Sequence, residues 1–233
     1  MLISGLQKLT LLDYPGRVAC TVFTGGCNLR CPFCHNAGLV LPERVTGDAT
    51  GVETVLRFLR ARRGLLEAVA VTGGEPLLHA ALPDFLREIR ALGYRVKLDT
   101  NGSQPERLRA VLEEGLVDRV AMDIKNSPAL YAKTAGFEHL SLTPFEQSKT
   151  LLLEGRVEYE FRTTVVKGLH TRESLLDAAE WIRGAQEYYL QQFKDSGDLI
   201  APEGLSPFSA DEMRALRDAV AEIVPNVRLR GVE

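Results

Sequence analysis

The feature that most limits how this chain can fold is the regular alternation of short β-branched runs with amphipathic stretches. Residues 18–23 (Val-Ala-Cys-Thr-Val-Phe) read as a strand, as do 68–72, 95–99, 119–124, 158–166 and 188–193. Between them lie helical stretches. Residues 51–62 put Val52, Val55, Leu56 and Leu59 on one helical face. Further helices are expected after Pro83, after Pro105, over 129–135, over 144–153 and over 173–183, with a last one over 210–223 and a short terminal strand at 227–229. Strands separated by helices pair in parallel, because the crossover returns the chain to the same end of the sheet. Six such units fall short of the eight that close a barrel. The expected class is therefore α/β, a partial, open (β/α)6 TIM-like barrel. One domain over 1–233 is expected: an N-terminal lead-in at 1–17, the barrel core at 18–193 and a C-terminal extension at 194–233.

Composition removes some alternatives. A formal net charge of -3 offers no basic surface for nucleic acid. No apolar run approaches the roughly 20 residues that span a bilayer, and the N-terminus lacks the pattern of a signal peptide. No membrane partner and a cytoplasmic location are expected. The four cysteines stand at 20, 27, 31 and 34 and none follows. A disulfide scaffold would spread them along the chain, so the cluster points to a metal.

In parallel α/β folds ligands bind at the C-terminal ends of the strands. The unusual residues of this sequence lie there. Gly25-Gly26-Cys27 follows the first strand, Gly73-Gly74-Glu75-Pro76 the second, Asp99-Thr100-Asn101-Gly102 the third, Asp123-Ile124-Lys125 the fourth and Lys167-Gly168-Leu169-His170 the fifth. Cys27, Cys31 and Cys34 supply three thiolates within eight residues. Iron–sulfur cubes are normally held by four cysteines, so three would leave one iron open, as catalytic centres do. Zinc is the alternative. It needs a fourth ligand, and His35 directly after Cys34 is sterically awkward. Cys20, inside the first strand, reads as a small buried hydrophobe.

The spacing Cys27-x3-Cys31-x2-Cys34 resembles the signature of the radical S-adenosylmethionine (SAM) superfamily. The loop Cys27-Asn28-Leu29-Arg30-Cys31-Pro32-Phe33-Cys34-His35-Asn36 looks like that of the glycyl-radical-enzyme activating enzymes. The resemblance implies a barrel of the radical SAM type, a [4Fe–4S] cluster on the three cysteines, and SAM chelating the open iron. It implies further that Phe33 lies against the adenine, although a hydrophobic plug under the loop fits Phe33 equally. Gly73, Gly74 and Glu75 match the motif that holds the SAM amino group. Two glycines let a ligand approach the backbone, and a carboxylate accepts a charge-assisted bond from an ammonium. Asp99, Thr100 and Asp123 resemble the residues that hold a monovalent cation beside the SAM carboxylate in activating enzymes of pyruvate formate-lyase. Lys125 would help neutralise that carboxylate, and His170 could contact the ribose or methionine side. A turn at Asp99 and a surface ion pair between Asp123 and Lys125 are the plain alternatives.

The N-terminal string Gly5-Leu6-Gln7-Lys8-Leu9-Thr10-Leu11-Leu12-Asp13-Tyr14-Pro15-Gly16 and the later Tyr189-Leu190-Gln191-Gln192-Phe193 resemble one group closely. These are the activating proteins of anaerobic ribonucleoside-triphosphate reductase. The implied reaction is hydrogen abstraction from a glycine of the partner reductase, fed by a low-potential donor such as flavodoxin or ferredoxin. The other readings are a radical SAM enzyme for a small molecule, an activase of another glycyl radical enzyme, and a non-enzymatic zinc module.

Overall fold

The computed structural model describes residues 1–41 and 50–232. Residues 42–49 and 233, within the span expected for the domain, lie outside the described residues. The chain forms two compact units. The first contains Met1–Asn28, Gly38–Ala121 and Arg156–Glu158; the second contains Leu29–Ala37, Met122–Gly155 and Tyr159–Glu233.

The first unit starts with β1 (Ile3–Thr10), which pairs antiparallel with β2 (Ala19–Thr24). The sequence reading has only a lead-in over 1–17, so this strand is an addition. Its burial does not alternate, and its register shifts on both sides of the Gly5–Gln7 stretch. Half-exposed strands of this kind leave no period-two signal in sequence. A short helix, α1 (Ala37–Val40), precedes α2 (Val52–Ala61), β3 (Ala68–Gly73), α3 (Leu82–Ala91), β4 (Arg95–Thr100) and α4 (Pro105–Glu113). The chain leaves the first unit within β5 (Arg119–Asp123), after Ala121.

Strands β2, β3 and β4 are parallel, with Thr21 beside Ala70 and Ala70 beside Lys97. Alternation along each strand sends Val69, Val71, Val96 and Leu98 to one face, and all four are fully buried. Helix α3 packs against β4 and buries Phe85, Leu86 and Ile89, while α2 buries Val55, Leu56 and Leu59. Each such side chain contributes roughly 1.5–3 kcal/mol when withdrawn from water. The opposite face carries Ala68, Ala70, Thr72, Lys97 and Asp99. At one end of it Tyr14 packs against Ala19 and Ala68. The neighbouring Asp13 accepts a hydrogen bond from Thr21 Oγ1 at 2.5 Å.

The second unit holds α5 (Tyr131–Thr134), α6 (Thr143–Leu153), β6 (Glu158–Val165), α7 (Arg172–Trp181), β7 (Tyr188–Gln192), α8 (Ala210–Ala221) and β8 (Val227–Arg230). Strands β6, β7 and β8 are parallel, with Phe161 beside Tyr188 and Tyr188 beside Val227. Tyr131 is fully buried. Its ring packs on Phe145 at 4.8 Å and edge-on to Trp181 at 5.5 Å. The six core strands read from the sequence are β2 to β7, and the terminal strand is β8.

Candidate active site

In the first unit the end of β3 fits against the start of the cysteine loop. Gly73 has φ of +118°, a region open to glycine, and a Cβ there would stand 2.3 Å from the Thr24 carbonyl oxygen. A Cβ on Gly74 would stand 1.8 Å from the Gly26 carbonyl oxygen. Two backbone bonds close this seam. Gly74 N–H donates to Thr24 C=O at 2.9 Å, and Glu75 N–H donates to Gly26 C=O at 2.9 Å. The close approach that the glycines permit is thus to the chain's own cysteine loop.

Glu75 is fully buried. Its Oε1 accepts from Leu77 N–H at 3.0 Å and from Thr100 Oγ1 at 2.8 Å, and its Oε2 accepts from Asn101 N–H at 2.6 Å. The carboxylate therefore joins the end of β3 to the end of β4. Asn101 carries the tie onward. Its side-chain amide donates to Asn28 Oδ1 at 3.0 Å and to Cys27 Sγ at 3.7 Å. Asn28 donates in turn to Ser103 Oγ at 2.9 Å. Sequence reasoning did not single out Asn28 or Asn101. The signal was present, since both are small amides inside strand-end motifs. Asp99 is buried and pairs with the ammonium of Lys97, itself only 2% exposed. Lys97 was also missed, hidden in what reads as an ordinary strand.

In the second unit Cys31 is buried and Cys34 half-buried. Cys34 N–H donates to Cys31 C=O at 3.0 Å, which turns the loop. Arg30 N–H donates to Ala135 C=O at 3.0 Å, and Ala201 N–H donates to Pro32 C=O at 3.0 Å. Gly136 has φ of +84°, and a Cβ on it would stand 2.0 Å from the Arg30 carbonyl oxygen. His35 stacks on Phe193 with ring centroids 5.6 Å apart, and burial lowers its pKa. Phe33 is buried within the chain.

Asp123 ends β5. Its Oδ1 accepts from Arg162 Nε at 2.5 Å and its Oδ2 from Lys125 Nζ at 2.8 Å. Burial works against the Asp123 anion, but Arg162 and Lys125 outweigh it and hold the carboxyl well below the usual carboxylate range. Burial likewise opposes the Lys125 ammonium, and Asp123 and Cys31 reverse that, so Lys125 stays charged. His170 is buried. Its Nε2 meets Lys125 C=O at 2.8 Å and its Nδ1 accepts from Val166 N–H at 3.1 Å. Burial lowers its pKa, so the ring is a neutral pin that fixes the Lys125 backbone.

The sequence-expected residues thus fall into two sets. Cys27, Gly73, Gly74, Glu75, Asp99 and Thr100 belong to the first unit, and Cys31, Phe33, Cys34, Asp123, Lys125 and His170 to the second. Each aspartate where the resemblance implies a monovalent cation already has a basic side chain: Lys97 at Asp99, and Arg162 with Lys125 at Asp123. Among the described residues no three His, Cys, Asp or Glu side chains gather as ligands of one metal ion. The donor chemistry does fit an anionic iron–sulfur cluster. It offers three thiols outside any disulfide, an amide N–H on Cys27 and a cation whose charge is felt at Cys31 and Cys34. Burial pushes the Cys34 thiol up, so metal binding would have to displace its proton. Cys20 is fully buried, its thiol pushed up to about 12 by burial.

Comparison with known proteins adds a family. The model of the radical SAM superfamily matches residues 21–140. A protein of Methanocaldococcus jannaschii, MJ1227, provisionally named a glycyl-radical enzyme activating enzyme, is 29% identical over 241 residues; the match covers 99% of this chain and 96% of that one. The 7-carboxy-7-deazaguanine synthase of Methanopyrus kandleri is 31% identical over 169 residues, 62% of this chain and 66% of its own. Among solved structures, Streptococcus suis SuiB bound to precursor peptide SuiA superposes with a TM-score of 0.71 at 14% identity. That superposition covers 91% of this chain but 48% of SuiB, so the chain spans about half of SuiB's length. At this identity the likeness shows the fold, and it agrees with the open α/β barrel read from the sequence.

Proposed function

Because the chain belongs to the radical SAM superfamily, a family that implies a [4Fe–4S] cluster and SAM, we propose that it activates a glycyl radical enzyme. The observation that carries this reading is the match to the M. jannaschii activating enzyme, which runs through nearly the whole of both chains. The partner in this proposal is anaerobic ribonucleoside-triphosphate reductase, as the N-terminal and Tyr189–Phe193 strings suggest. A low-potential flavodoxin or ferredoxin supplies the electron, in the cytoplasm. No helix among the described residues is long and apolar enough to cross a membrane.

Cys27, Cys31 and Cys34 would hold the cluster. When bound and reduced, it would supply the electron that splits SAM into methionine and a 5′-deoxyadenosyl radical. The chain's own residues do the rest. Asn101 steadies Cys27 through its amide. Glu75 fixes the backbone at which the SAM amino group would bind, with Gly73 and Gly74 seating the loop. Lys125, kept charged by Asp123 and fixed by His170, offers a cation to the SAM carboxylate. The radical so supplied would take a hydrogen from a glycine Cα of the partner and leave the unpaired electron on that glycine.

Anaerobically reconstituted, reduced protein incubated with SAM and a candidate reductase deuterated at glycine tests this. Deuterium is expected in 5′-deoxyadenosine, with a glycyl radical signal on the partner. SAM cleavage without transfer from any glycine would remove the activase reading. It would favour a radical SAM enzyme for a small molecule, the reading that the partial match to 7-carboxy-7-deazaguanine synthase supports. One equivalent of zinc without iron or sulfide would remove radical chemistry altogether.

A further inference from the structure

We propose that Lys97 is the resident counter-cation of Asp99, a tethered ammonium that does the electrostatic work of a bound monovalent ion. The inference rests on the reading of Asp99 as part of the SAM site. Lys97 is 2% exposed and lies two residues before Asp99 on β4, so both side chains leave the same face. Its ammonium donates to Asp99 Oδ1. Among the described residues Asp99 is its one hydrogen-bond partner, although an ammonium has three donors. Two of its donors are therefore not used among the described residues.

The surroundings explain how so long a side chain fits. Ala70 stands beside Lys97 in register, Ala68 and Thr72 follow on the same face of β3, and Thr21 stands beside Ala70 on β2. These small residues leave room for the four-carbon stem. They offer no second charge, and a buried cation is tolerated only with a charged partner. Asp99 supplies that partner, and the ammonium offsets the charge of Asp99. An anion such as the SAM carboxylate would then meet the Lys97 ammonium beside Asp99, instead of that carboxylate without its cation.

The test compares SAM affinity of the anaerobically reconstituted protein in potassium, sodium, ammonium and choline chloride at one ionic strength. The wild type is expected to bind SAM equally in all four. Lys97→Met, which keeps the stem and loses the charge, is expected to bind at least about tenfold more weakly in choline. Small cations that can sit on Asp99 should restore most of that loss. Lys97→Arg keeps the charge and should stay indifferent to the cation. A second measurement needs neither cluster nor SAM. Small cations should raise the melting temperature of the cluster-free Lys97→Met chain relative to choline, and should not raise that of the wild type. Wild-type SAM binding that required potassium or sodium would overturn the inference, as would a Lys97→Met chain indifferent to small cations in both measurements. If Lys97→Met fails to fold, the wild-type comparison and Lys97→Arg still decide. Loss of SAM binding by the wild type in every salt would instead strike the functional reading, and the melting comparison would still judge Lys97.

Discussion

Glu75 is buried at zero exposure, where a carboxylate without compensation costs several kcal/mol. Three donors from Leu77, Thr100 and Asn101 supply that compensation. Glu75→Ala would strand all three, at about 1–3 kcal/mol for each buried donor left unmade. Urea unfolding of the cluster-free chain is expected to show a loss of at least about 2 kcal/mol, alongside weaker SAM binding. An unchanged midpoint would remove Glu75 from this strut. Gly74→Ala acts on the same seam, because its Cβ would overlap the Gly26 carbonyl. Displacing Gly26 moves the cysteine loop, so iron content after reconstitution should fall well below wild type. His170 gives a pH dependence. Burial lowers its folded pKa, so the unfolded chain takes up the proton first as pH falls past 6.5. Its contribution is whole above that value and is lost as pH drops toward the folded pKa. Unfolding midpoints at pH 7.5 and 5.5 should therefore differ more for the wild type than for His170→Asn.

The elements near the site are held by their ends. Helix α7 starts at a capping box in which Thr171 Oγ1 accepts from Ser174 N–H and Ser174 Oγ accepts from Thr171 N–H. This box follows His170 directly, so it fixes where the loop after β6 stops. Thr171→Ala should cost about 1 kcal/mol in chemical unfolding, the usual worth of such a cap. Helix α8 has the same device in Ser209 and Glu212, and Lys167 pairs with Glu212 at 2.7 Å. The cysteine loop has no such regular element. Its backbone is held by single bonds to residues far from it in sequence: Ala135 C=O accepts from Arg30 N–H, while Ala201 and Glu75 N–H donate to Pro32 and Gly26 C=O.

For the molecule as a whole, the family assignment makes a stoichiometric claim. Anaerobic reconstitution should yield about four irons and four sulfides per chain, as a [4Fe–4S] cube requires. Replacing Cys27, Cys31 or Cys34 with Ala should abolish SAM cleavage and most of the bound iron. Cys20→Ala should keep both, because that thiol is fully buried in β2 and protonated. Retained cleavage in Cys34→Ala would undo the ligand assignment.

The strand order, the helix faces and the placement of unusual residues at strand ends were legible in the sequence alone. They depend on local periodicity and on residues adjacent in the chain, as in Val52, Val55, Leu56 and Leu59 or Cys27-x3-Cys31-x2-Cys34. Strand β1 was not legible, since a half-exposed strand with shifted register carries no alternation. Nor were the roles within the site. Glu75 reads as a ligand to a cofactor, and only the structure shows its three donors from β4 and the Leu77 turn. His170 reads as a contact to the ribose or methionine side of SAM, and the structure adds that both its nitrogens sit on backbone. Lys97 reads as strand filler until its ammonium is found on Asp99. The chemistry was written in residue types and spacing. Which residues hold the others in place was decided by hydrogen bonds and burial that form only when distant segments pack.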